Sequence, residues 1–282
     1  MSQPSLAVTG STGALGGLVA RDLADRGVRQ RLVVRSPERA PGLHGADVVR
    51  ATYDDREAAL RALGGVTTLF MVSGAEAEDR LEQHRTFVDA AADAGVEQVV
   101  YTSFQGAAPD CTFTLGRDHW ATEEHIRSRG MEFTFLRDSF YLEFLPLTVG
   151  DDGVIRGPAG DGRVAAVSRR DVARVAVSVL LDPASHRGAT YDLTGPESLS
   201  FADVAATISG VTGREVTFHD ETLEEAYASR LRWPAPQWQC DAWVSTYTAI
   251  RAGEVETVTD DVRRITGRAP IGLRELLASP TP

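Results

Sequence analysis

The chain opens with a rhythm. Short apolar, β-branched runs alternate with longer stretches whose apolar residues recur every three or four positions. The runs predict strands over Leu6–Thr9, Arg31–Arg35, Thr67–Ser73, Gln98–Phe104 and Glu132–Arg137, with a weaker one over Ala46–Arg50. Helical spacing between them predicts helices over Ala14–Asp25, Arg56–Leu63, Arg80–Ala94 and Arg117–Arg129. Strands that are apolar on both faces and separated by helices imply a doubly wound parallel sheet, covered on both sides and joined by right-handed crossovers. After Arg137 the rhythm breaks. Five glycines and a proline between Gly150 and Gly162 predict loop and turn. Asp171–Leu181 reads as a one-faced helix through Val172, Val175, Ala176, Val179 and Leu180. Thr190–Leu193 reads as a late strand able to rejoin the sheet, and Phe201–Ser209 as a further helix.

The junction of the first strand and first helix carries chemistry. It reads Thr9-Gly10-Ser11-Thr12-Gly13-Ala14-Leu15-Gly16. A first glycine lets the chain turn sharply off the strand, a second clears space for a pyrophosphate, and a third lets helix and sheet pack closely. Free N–H groups at the helix start then face the phosphates. A bare strand-to-helix turn is the plainer reading, but the position at the head of an alternating βα chain favours a dinucleotide. Gly10, Ser11, Thr12, Gly13, Leu15 and Gly16 are the expected contacts, and the sheet is expected to be of Rossmann type. The second strand ends Val33-Val34-Arg35-Ser36-Pro37, with no carboxylate at its tip. An acid there would bind the ribose hydroxyls of NAD; an arginine suits the 2′-phosphate of NADP(H) through charge-assisted bonds. Arg35 also fits a solvated surface residue; its position favours the phosphate.

Composition narrows the classes. A net charge of −11 over 282 residues argues against a binder of nucleic-acid backbones, which needs a basic face. No apolar run approaches the ~20 residues of a membrane span, and no basic segment precedes the first apolar run. Neither membrane insertion nor secretion is expected, and a cytoplasmic setting is the default. Cys111 and Cys240 lie far apart, and the histidines show no ligand spacing, so no metal is expected. The basic residues are all arginine, with no lysine anywhere.

Several segments then resemble one family. TGSTGALG, VRSPERA, EQHRTFVDAAADAGVEQVVYTS, GMEFTFLRDSFYLE, SRRDVA, YDLTGPESLSF and VTDDVRRITGRAP are similar to the NmrA-like group of atypical short-chain dehydrogenase/reductases. Within that group the likeness is strongest to bacterial NADPH-dependent quinone oxidoreductases. The resemblance implies an NADP-binding Rossmann domain over residues 1–137 and 164–195. It also implies a smaller α+β substrate lobe over 138–163 and 196–282. Ordinary members of the superfamily pair a tyrosine with a lysine four residues on, and a chain without lysine cannot. By alignment with them, His119 takes the lysine position and Leu115 the tyrosine position. The family's adenine-contacting acid is replaced by Thr52.

Ligands in such sheets bind beyond the carboxyl ends of the strands, which brings Ser73, Gly74, Ser103 and Gln105 towards a nicotinamide. Ser103 matches the family's substrate-side serine and equally suits a strand cap. His119 is a candidate to orient the nicotinamide ribose or to donate to a developing oxyanion. Tyr141 is a second candidate donor. A helix histidine and a packed aromatic are the plainer readings of these two. Leu231–Tyr247, with Trp233, Trp238 and Trp243, suits an aromatic lid, the core of the lobe or a dimer face. The expected function is NADPH-dependent hydride transfer to a quinone or flat polycyclic aromatic ketone. A quinone takes hydride without a strong proton donor, because the hydroquinonate formed is a stable anion. The alternatives are a non-catalytic NADP(H) sensor working through a protein partner, and an isomerase. A monomer or homodimer is expected.

Overall fold

A computed structural model describes residues 4–279. The chain divides into two compact units. Of the described residues, the first comprises 4–103, 118–137 and 172–191; the second comprises 104–117, 138–171 and 192–279.

Six strands follow the predicted order: β1 (Leu6–Thr9), β2 (Gln30–Val34), β3 (Ala46–Arg50), β4 (Thr68–Met71), β5 (Gln98–Phe104) and β6 (Glu132–Asp138). The chain then forms β7 (Val154–Gly157) and β8 (Arg163–Val164), and returns as β9 (Ala189–Leu193). The seven-stranded sheet runs β3-β2-β1-β4-β5-β6-β9, so the late strand does rejoin it. Pairing is parallel from β3 through β5, with Val8 opposite both Leu32 and Phe70. The order reverses at β1, where β2 lies on one side and β4 on the other. That is the switch point at which doubly wound sheets bind ligands.

The helices of the first unit follow from one-faced apolar patterns. They are α1 (Ala14–Asp25), α2 (Arg56–Leu63), α3 (Arg80–Asp93), α4 (Thr114–Ser128) and α5 (Arg169–Leu181), the last two shared with the second unit. Alternation along the strands sorts the core. Ala7, Val33, Leu69, Met71, Val99 and Tyr101 pack with Ala59, Leu63, Phe87, Val88 and Ile126 from α2, α3 and α4. Val8, Leu32, Phe70 and Val100 are buried as well, so both faces of the sheet are covered. Two predicted boundaries move at the carboxyl edge. β2 stops before Arg35, and β4 stops at Met71, which frees Val72–Gly74 to turn.

The second unit continues with β10 (Leu199–Ser200), α6 (Phe201–Thr212), β11 (Thr217–Asp220), α7 (Leu223–Arg230), α8 (Gln237–Arg251), α9 (Asp261–Thr266) and α10 (Leu273–Ala278). Its core gathers Phe104, Phe113, Leu142, Ile155, Phe201, Val204, Tyr247 and Ile250. One prediction fails here. The glycine-rich 150–162 segment is not all loop, because β7 lies within it and pairs in parallel with β11. The strand ends at Gly157, where a Cβ would come within 2.1 Å of the Tyr247 ring. That glycine is a packing requirement rather than a turn. Trp238 and Trp243 are half-buried on α8, while Trp233 is exposed and meets Trp243 edge to face at 5.9 Å.

Candidate functional site

The glycine loop at the switch point has the geometry that its spacing predicts. Gly10 turns with φ +66°, and a Cβ there would press on Val72 at 3.0 Å. Gly16 is tighter: its Cβ would lie 2.4 Å from the Gly10 carbonyl oxygen and 2.7 Å from that of Thr9. α1 therefore packs backbone against backbone on the strand it leaves. Gly13, by contrast, would meet the Gly10 oxygen at 3.3 Å and nothing else within 4 Å. The missing side chain there leaves open space at the helix start. No side chain caps α1, and its first turn holds no acid, so its leading N–H groups and positive dipole end are free for an anion. Ser11 Oγ is buried without a protein partner, Thr12 is half-buried and Leu15 is buried. Bare Gly13, the uncapped helix and the orphaned Ser11 hydroxyl fit the diphosphate of a dinucleotide. Arg35 stands exposed just past β2, close enough that its charge favours the phenolate of Tyr53. An unburied guanidinium there fits one further phosphate.

Beside this loop lies a turn that side chains hold almost completely. The Val72 N–H donates to Thr9 Oγ1 at 2.9 Å, and Tyr53 donates its hydroxyl to the Val72 carbonyl at 2.5 Å. The Ser73 N–H donates to Thr102 Oγ1 at 2.8 Å. The Gly74 N–H donates to His84 Nε2 at 2.8 Å, and Arg80 Nε donates to the Gly74 carbonyl at 3.0 Å. Arg80 is 3 % exposed and also donates to Asp118 Oδ2 and His119 Nε2. Both histidines accept through Nε2, which leaves the proton of each on Nδ1. That of His84 is donated to Thr122 Oγ1 at 2.9 Å, and that of His119 faces Tyr101 Oη at 3.0 Å. Burial, then the Arg80 charge, holds both rings well below the usual histidine range, so Arg80 carries this cluster's positive charge. Burial raises the Asp118 carboxyl, and Arg80 opposes that shift.

The candidate catalytic residues sit differently from expectation. Ser103 does not offer its hydroxyl beyond the strand. It is buried and donates to Glu123 Oε1 at 2.5 Å. Glu123 is fully buried and grips Arg137 through both oxygens, at 2.9 and 2.7 Å. A buried charge needs such partners, and Ser103 serves as one. His119 is buried with both ring nitrogens engaged, so it has no proton free for a developing oxyanion. In the second unit, Tyr141 donates to Asp138 Oδ2 at 2.8 Å beneath the Arg169 guanidinium. Burial drives the Asp138 carboxyl well above its usual range, and its Oδ1 is an orphan. Burial and Asp138 likewise raise the Tyr141 hydroxyl, which makes it a poor acid. Ser73 and Gly74 are half-buried in the pinned turn, and Gln105 donates to the Thr257 carbonyl. Tyr53, Arg80, Thr102 and His84 are the residues that sequence reasoning missed here. Among the described residues no cluster of His, Cys, Asp and Glu could hold a metal ion, and no helix is long and apolar enough to cross a membrane.

The NmrA-like family model matches residues 2–239. This chain belongs to the NmrA-like family. Among curated relatives, the NmrA-like chain is 32% identical to an NAD(P)H azoreductase of Xenophilus azovorans, over 93% of its own length and 92% of the relative's. It is 34% identical to quinone oxidoreductase 2 of Escherichia coli, over 80% and 81%. Among solved structures, it superimposes on an NADPH-dependent quinone oxidoreductase from Escherichia coli, complexed with NADPH. The TM-score is 0.88 at 29% identity, over 97% of this chain and 98% of that one.

Proposed function

We propose that this NmrA-like protein binds NADP(H) at the β1–α1 loop and passes its hydride to a quinone or flat aromatic carbonyl. The observation that carries the first half is the α1 start: a side-chain-free Gly13 before an uncapped, acid-free helix. The relatives named above, an NAD(P)H azoreductase and NADPH-dependent quinone reductases, support the same reading. The α1 N–H groups bind the diphosphate and Arg35 the 2′-phosphate, worth about 1.5–3 kcal/mol as a charge-assisted contact. The pinned Val72–Gly74 turn orients the remainder of the coenzyme. The bound coenzyme supplies the hydride.

Proton supply supports the choice of acceptor. His119 and Ser103 are both committed to protein partners, and Tyr141 is held on Asp138. An ordinary ketone gains ~10²–10⁴ in rate from a positioned acid. A quinone forgoes that gain, since its reduced form leaves as a stable anion and takes a proton from water. Positioning and hydrogen bonds then carry the catalysis. The test is NADPH oxidation by purified protein across a panel of quinones, followed at the coenzyme's absorbance band, with Arg35→Ala as control. Turnover well above the control supports the enzyme. Tight NADPH binding without oxidation across the panel would transfer support to the sensor reading.

A further inference from the structure

The turn after β4 is built with unusual economy of freedom. Six backbone polar groups run from the Val72 N–H to the Gly74 carbonyl, and five are hydrogen-bonded to side chains. Thr9, Tyr53, Thr102, His84 and Arg80 supply the partners, from β1, the segment after β3, β5 and α3. The sixth, the Ser73 carbonyl, takes no protein donor among the described residues. A turn is normally satisfied by its own backbone or by water. Fixing this one from outside costs four buried polar side chains, Thr9, Thr102, His84 and Arg80. Each of these must itself be satisfied.

His84 is the least replaceable of the pins. Its ring is fully buried and stands edge-on to Tyr53 and Tyr101, at 5.9 and 6.0 Å. Thr122 fixes its tautomer, because the Thr122 hydroxyl already donates to the Asp118 carbonyl at 2.7 Å and so accepts from Nδ1. Nε2 is thereby kept as an acceptor aimed at the Gly74 N–H. We propose that His84 is a positioning residue for coenzyme binding. By holding the Gly74 amide, with Arg80 on the Gly74 carbonyl, it fixes the Ser73 carbonyl, the one group of the turn without a protein donor, as a preformed acceptor for a ribose hydroxyl. The proposal rests on the coenzyme reading above and deepens it. A ligand that meets a pre-set acceptor loses no free energy in ordering it.

The experiment compares His84→Leu with His84→Gln, whose amide oxygen restores an acceptor for the Gly74 N–H. Calorimetric titration with NADPH and amide hydrogen exchange at Gly74 in the coenzyme-free protein are the readouts. In His84→Leu, Gly74 should exchange faster and NADPH should bind at least tenfold more weakly. His84→Gln should return both to within about threefold of wild type, which a generic packing role would not do. If the leucine variant does not fold, Gly74→Ala takes its place. The added Cβ comes within 3.1 Å of His84 Nε2 and pushes against the same contact. Faster Gly74 exchange with unchanged NADPH affinity overturns the proposal alone. Wild-type protein that binds neither NADPH nor NADH overturns it together with the coenzyme reading.

Discussion

Gly13 and Gly16 stand three residues apart, and the structure assigns them different duties that alanine can separate. At Gly16 the new Cβ would lie 2.4 Å from the Gly10 oxygen, where ordinary contact begins at 3.4 Å. The backbone of α1 must therefore move about 1 Å away from β1, and no side chain can yield in its place. Such overpacking costs about 1–3 kcal/mol, of which alanine's helical advantage over glycine offsets at most about 1 kcal/mol. At Gly13 the nearest atom is 3.3 Å away, and φ −99°, ψ 180° is open to any residue. Alanine is a poorer N-cap than glycine by about 0.5–1 kcal/mol. The stiffer unfolded chain returns about 0.4–1 kcal/mol. The net change is near zero. Yet the Gly13 methyl occupies the space through which a diphosphate reaches the helix N–H groups. Urea denaturation should thus show Gly16→Ala destabilised and Gly13→Ala within about 0.5 kcal/mol of wild type. Both should bind NADPH at least tenfold more weakly, a loss of about 1.4 kcal/mol or more. Equal destabilisation of the two variants, or wild-type affinity in Gly13→Ala, would refute this division of labour.

Two further outcomes follow from the buried carboxyl groups. Glu123→Gln leaves Arg137 without its carboxylate and should cost about 3 kcal/mol in urea denaturation. Replacing both residues by leucine should cost less than the single change, and the reverse order would show that the pair does not act as a unit. Burial holds the Asp138 carboxyl far above its ordinary 3.8. Across the pH range between the two values, the native state keeps a proton that the unfolded chain has released. Stability therefore falls as pH rises through that range. Asp138→Asn stays neutral and still accepts from Tyr141, so wild type should lose melting temperature relative to this variant as the pH is raised from about 4 to 8. A constant difference would mean that Asp138 is charged in the fold.

The sequence makes legible whatever rests on spacing. Strand and helix periods give the succession of elements through β6, and the glycine triad places the tight turn from β1 into α1, because a missing side chain is itself a signal. The polar network escapes that reading. Arg80 and His84 sit on a helix whose visible pattern is amphipathic, where an arginine passes for a solvent-facing residue and a histidine for one that merely packs or caps. Only the fold shows that their side chains turn beneath the β4 turn. Ser103 is legible as a polar residue at the end of β5, and His119 as one on the helix before β6, but the direction of neither side chain is. Glu123, fourteen residues before Arg137, draws the Ser103 hydroxyl inward, and Arg80 takes the acceptor nitrogen of His119. β7 is hidden for a different reason. A four-residue strand ending in glycine carries too little pattern, and its partner β11 lies some sixty residues on.

The central claim is that the β1–α1 cradle takes a pyridine nucleotide and that Arg35 selects the one bearing the extra phosphate. Calorimetric titration of wild type and Arg35→Ala with NADPH and with NADH tests it directly. The account predicts at least tenfold tighter binding of NADPH by wild type, and near-equal affinities once the guanidinium is gone. No binding of either coenzyme by the wild type, or a preference for NADPH that survives the substitution, would contradict it.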